Sequence, residues 1–185
     1  MKKFFNAIFL LSMLAVFVLP SSAFAEKNFV PVYNRGVDEF IDTLNNFGNQ
    51  MNVFFKGKSY RTTDTGLKIC DVNFNDSQDN LLSLCVNDSD TIDYLMISFP
   101  GDSETSTHTG GMVLGFVLVA VGLNEQECTD FLNQLSEDID LANKQNSDSF
   151  EKIYTVYSSA LAHTVVIDTD FSESACQVLI DAYSE

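Results

Sequence analysis

Positive charge is scarce in this chain: 10 Lys and Arg stand against 26 Asp and Glu, a net charge of −16 over 185 residues. A surface of that sign repels nucleic-acid phosphates and anionic lipid, so neither is expected as a partner. Histidine is nearly absent, with only His108 and His163. There is no G-x-S-x-G to present a serine on a strained turn, and no C-x-x-C or histidine pair at metal-ligand spacing. These gaps remove the usual signatures of a serine hydrolase, a dithiol redox centre and a zinc site. What is plentiful is apolar material, 45% of the chain with 16 Phe and 6 Tyr, which excludes disorder and implies a packed core.

The N-terminus reads as a secretory leader. Met1-Lys2-Lys3 is a positive start, Phe4 to Leu19 is apolar apart from Asn6 and Ser12, and Pro20-Ser21-Ser22 breaks the run. Ala23-Phe24-Ala25 then supplies the small residues of a cleavage site, placing the cut between Ala25 and Glu26. No cysteine follows that would anchor a lipoprotein, so the expected product is a bacterial periplasmic or secreted chain with no membrane span after cleavage. Residues 26–185 form a single expected domain. Loss of the two leader lysines takes its net charge from −16 to −18.

Four cysteines remain: Cys70, Cys85, Cys128 and Cys176. An even number in an exported chain predicts two disulfides. With Asn75 opposite Asn80 in a hairpin, Cys70 falls opposite Cys85. Cys128 and Cys176, on two predicted helices, form the other expected pair.

The expected fold is α+β: an antiparallel meander sheet packed on a buried helix and a helical hairpin. Val37, Phe40, Ile41, Leu44 and Phe47 keep helical spacing within Tyr33 to Met51, with Asn34 as its cap. Ser59–Thr63, Gly66–Phe74, Asn80–Asn87 and Thr91–Phe99 alternate between turn-forming clusters and predict a four-strand meander. Asp102 to Thr109 is polar and reads as an exposed loop. Gly110 to Leu123 is apolar all round, which predicts an element surrounded by the rest of the chain. Whether 111–122 is helix or buried strand stays open on periodicity alone. Asn124-Glu125-Gln126-Glu127 is a capping box, followed by a helical face of Cys128, Phe131, Leu132, Leu135 and Ile139. Lys152–Tyr157 and Leu161–Asp168 predict two further strands, Asp168–Asp170 a turn, and Ala175, Cys176, Leu179 and Tyr183 a final short helix.

Two chemistries have candidate residues. Asp102, Ser103 or Ser106, and His108 are the best available approach to a hydrolytic triad; His163 reads as a strand residue. Asn73, Asn75, Asp76 and Asp79 in one turn, and Asp88, Asp90 and Asp93 in the next, offer hard oxygen donors to calcium. Neither turn has the central glycine and terminal glutamate of a full calcium loop. Both turns also fit the N-glycosylation sequon, at Asn75 and Asn87, although the bacterial style of the leader predicts no sugar there. The balance favours a non-catalytic binding protein of the cell envelope, whose partner is a protein or small ligand. A small extracytoplasmic hydrolase and a calcium-binding module are the alternatives.

Overall fold

A computed structural model describes residues 28–184 apart from 76, 78, 103, 146 and 173, and the backbone alone of Glu104. The leader expected over residues 1–25 lies outside them. Eight strands form one antiparallel sheet: β1 (Asn28–Val30), β2 (Phe55–Thr62), β3 (Lys68–Phe74), β4 (Leu81–Val86), β5 (Ile92–Phe99), β6 (Ser149–Ser158), β7 (His163–Ser172) and β8 (Cys176–Ser184). The strand order is β2-β3-β4-β5-β8-β7-β6, and β1 pairs with the far end of β8. Two meanders therefore meet through their last strands, β5 and β8. Three helices, α1 (Val37–Gly48), α2 (Glu104–Ala120) and α3 (Glu125–Lys144), pack on one face.

Alternation builds that face. Cys70, Val72 and Phe74, Leu82, Leu84 and Val86, Leu95, Ile97 and Phe99, and Val178, Ile180 and Ala182 all join one core cluster. Val37, Phe40 and Leu44 of α1, Val113, Leu114, Val117 and Leu118 of α2 with Val121 just after it, and Phe131 and Leu135 of α3 close over it. Ile69, Cys85, Met96 and Val166 are buried on the other face and lie outside that cluster.

Several expectations need correction. Cys176–Ser184 is strand, not helix: Cys176, Val178, Ile180 and Ala182 are buried and alternate with Gln177, Leu179, Asp181 and Tyr183. A period of two fits that stretch better than the helical spacing, and β5 and β7 satisfy its backbone on both edges. Asp168 to Asp170 is not a turn but the continuation of β7. The segment from Glu104 to Thr109 is the first part of α2 rather than a loop, and α2 is helical throughout, which removes the strand alternative for 111–122. At the front of α1 the cap is Gly36, without a side-chain bond, while Tyr33 bridges to Ile92.

The two disulfides are also corrected. All four cysteines are free thiols, each buried. The β3–β4 register places Cys70 opposite Leu84 and Ile69 opposite Cys85, one residue from the expected pairing. Adjacent positions on a strand face opposite ways, so the two thiols lie on opposite faces of the sheet. The slip arises at Asn75, which takes φ 55° and leaves the ladder. Its N–H donates to the Phe54 carbonyl (3.0 Å) and its Oδ1 accepts from the Phe54 N–H (3.1 Å). Cys128 sits in the first turn of α3, and Cys176 begins β8 rather than a helix. Burial raises every thiol, Cys128 and Cys176 to about 11, which holds them protonated and weakly nucleophilic.

Candidate functional site

An open apolar feature lies between α2 and α3. Its floor follows from how the turn between them is held. Gly122 takes φ 94°, a conformation that favours glycine, and ends α2. The Leu123 N–H then donates to the Leu118 carbonyl (3.0 Å) and the Gly122 N–H to that of Val119 (3.0 Å). Asn124 caps α3 as its sequence predicts: Asn124 Oδ1 accepts from the Glu127 N–H at 3.0 Å, and Glu127 Oε2 from the Asn124 N–H at 2.8 Å.

This turn is fastened to the one between β6 and β7. Ser158 Oγ donates to the Gly122 carbonyl (2.6 Å), and Glu127 Oε1 accepts from the Ser159 N–H (2.9 Å). Asn124 Nδ2 donates to Ser159 Oγ at 3.1 Å. Hydrogen bonds from Ser159 hold the Glu127 carboxyl below the usual range. Further along, Asp138 accepts from Lys152 Nζ (2.6 Å) and from the Tyr154 hydroxyl (2.9 Å), and Phe131 meets Tyr154 edge-on. The side of α3 facing β6 is thus occupied. Its other side looks across a gap to α2.

That gap is a groove of about 770 Å³, within the range of ligand sites. Gly111, Met112, Gly115, Phe116 and Val119 of α2 form one wall and Leu132, Thr129 and Glu125 of α3 the other. Val119 is 43% exposed, so the expectation that this apolar stretch is wholly enclosed is corrected: one side of it stands open. Gly110 and Gly111, adjacent in sequence, serve different ends. A Cβ at Gly110 would come within 2.5 Å of the Phe99 ring, so glycine is needed there for α2 to lie on β5. At Gly111 a Cβ would meet nothing within 4 Å, and at Gly115 only Leu132 Cδ1 at 3.9 Å.

The charge around the groove has one sign. Residues 69–143 contain no Lys or Arg. The exposed side of α3 carries Glu125, Asp130, Glu137 and Asp140. Lys56, Lys58, Arg61 and Lys68 are gathered instead on β2 and the start of β3, at the edge of the sheet. There Lys58 pairs with Asp38, and Arg61 with Asp71 (2.6 Å).

The residues singled out from sequence are dispersed. His108 lies exposed on α2 and lines one end of the groove. Asp102 is exposed just before the helix, and Ser103 falls outside the described residues. His163 opens β7, with Nδ1 3.0 Å from the Ala162 carbonyl. Of the calcium candidates, Asp76 is outside the described residues, while Asp79, Asp88 and Asp90 are exposed in turns. Asp93 accepts from Asn87 Nδ2 at 2.7 Å, and Asn87 Oδ1 accepts the Ser89 and Thr91 N–H groups (2.9 and 3.2 Å). Those bonds account for the β4–β5 turn without an ion. Among the described residues no three His, Cys, Asp or Glu side chains are grouped to hold a metal. Nor is any described helix long and apolar enough to cross a membrane.

His108, Cys128 and Leu132 of the groove are singled out by the sequence, which does not bring them together as one site. The available signal was Gly111 and Gly115, four apart in a helix whose own packing does not require both. No family model matches the chain, and no curated protein and no solved structure matches it. Its function therefore has to be read from these residues.

Proposed function

We propose that the chain is an exported, non-catalytic binding protein of the bacterial cell envelope that receives its ligand in the α2–α3 groove. The observation that carries this reading is the groove itself: about 770 Å³, walled by apolar side chains and left open. An open apolar groove with a few polar groups at its ends is the form that ligand sites commonly take. The fastening of the α2–α3 turn to the β6–β7 turn supports a preformed site, because it fixes the angle at which the two walls stand. The leader-like N-terminus supports export.

An uncharged naphthylamine dye, fluorescent when shielded from water, tests the groove. Saturable enhancement with the parent protein, lost in Val119→Asp at unchanged far-ultraviolet circular dichroism, is expected. No enhancement with the parent, or equal enhancement with both, overturns the assignment. Export is tested by N-terminal sequencing of the protein recovered from the periplasm, which should begin at Glu26.

A further inference from the structure

We propose that the occupant of the α2–α3 groove is an amphipathic helix of a partner protein, apolar on one side and flanked by Lys and Arg. This rests on the groove being the binding site and adds the chemistry of what enters it. The shape comes first. Thr107 and Val119 mark the two ends of the α2 wall, and at the helical rise their separation is about 18 Å, room for about three turns of a third helix. Gly111 and Gly115 lie one turn apart on that wall, and the fold leaves the space beside them open. Each glycine makes a helix less stable than alanine would. The chain's own packing does not call for that cost at either position. A neighbouring backbone that approaches closely does.

Charge then selects the partner. The groove lining is acidic at Glu125, Asp130, Glu137 and Asp140 are exposed elsewhere on α3, and no basic residue occurs from 69 to 143. A second copy of this chain would bring the same acids against them, and an anionic lipid surface would be repelled likewise. A helix with a cationic border is attracted by Glu125 and by the net negative charge of the chain, and its apolar stripe covers Met112, Phe116, Val119 and Leu132.

The chain has no Trp, so one indole in a synthetic peptide reports binding alone. Three 18-residue helical peptides with the same Leu stripe and one Trp, bordered by Lys, Glu or Gln, are titrated into the protein recovered after export. The Lys peptide should bind at least about tenfold more tightly than the Glu peptide at low salt, and the gap should narrow as salt rises. Glu125→Lys should weaken the Lys peptide while leaving the Gln peptide unchanged. The double variant Gly111→Ala/Gly115→Ala should melt at a higher temperature and yet bind the Lys peptide several-fold more weakly, an outcome that damage to the fold cannot produce.

If all three peptides bind alike and the double variant weakens all three, the groove stands as the binding site and its cationic partner is overturned. If the Lys peptide binds the double variant as tightly as the parent, net charge alone holds it and the proposal fails. Absence of binding by any peptide overturns the helical occupant, with the dye result left to judge the groove. A dimer of the parent that the double variant dissolves would seat a second copy there instead, and overturn the proposal.

Discussion

Asp181 carries the clearest electrostatic tension in the molecule. It lies on β8, on the sheet face away from the helices; burial pushes its carboxyl up to about 6, and Asp168 adds repulsion. The Tyr183 hydroxyl donates to Oδ2 at 3.1 Å, while Oδ1 is buried without a hydrogen-bond partner. In the unfolded chain an aspartate ionises near 3.9. Between about pH 4 and 6 the native state therefore holds a proton that the unfolded state has lost, so this residue's contribution to stability falls as pH rises through that window. Above it the contribution is level. Asp181→Asn should stabilise the protein at pH 7 by about 1–3 kcal/mol and flatten the pH dependence between 4 and 6. Urea denaturation of both proteins at pH 4, 5, 6 and 7 measures it; equal stabilities at pH 7 would show that the carboxylate is solvated. The two neighbouring glycines make a second pair of expectations. Gly111→Ala should stabilise by about 0.5–1 kcal/mol through helix propensity. Gly110→Ala should destabilise, because its Cβ would meet the Phe99 ring. Thermal melts of the two variants should move in opposite directions.

The elements show which sequence signals carry structural information and which do not. The capping box at Asn124 was legible because its two bonds are local, and the amphipathic faces of α1 and α3 because their polar sides contrast with their apolar ones. The meander of β3, β4 and β5 was legible from alternation between turn formers. A stretch that is apolar all round has no such contrast, so the side of α2 left uncovered could not be read, nor could the groove that it forms. The last strand was misread because Ala175, Cys176, Leu179 and Tyr183 fit a helical spacing, while Cys176, Val178, Ile180 and Ala182 fit a strand. Only neighbours on both edges decide between them. At this scale Asn124→Ala should cost about 0.5–2 kcal/mol in denaturant unfolding, as loss of a cap does. It should also weaken binding in the groove, because Asn124 ties both the start of α3 and Ser159.

Across the whole molecule, two meanders meet at β5 and β8 with three helices over one face, and the four thiols are dispersed through the buried parts of that body. Hairpin register, which no composition argument reaches, separates Cys70 from Cys85. Alkylation under denaturing, non-reducing conditions followed by mass measurement should show four modified cysteines, and without denaturant the buried thiols should react slowly. A mass with none modified would mean two disulfides. Four of the basic residues lie on β2 and the start of β3, two of them paired with Asp38 and Asp71, while no Lys or Arg lines the groove. The docking claim is tested most directly by hydrogen–deuterium exchange of the protein with and without the Lys-bordered peptide. Added protection should fall on α2 and the first half of α3, between Thr107 and Leu132, with the sheet unchanged. Protection on β2, on β6 or nowhere would contradict a groove that binds a helix.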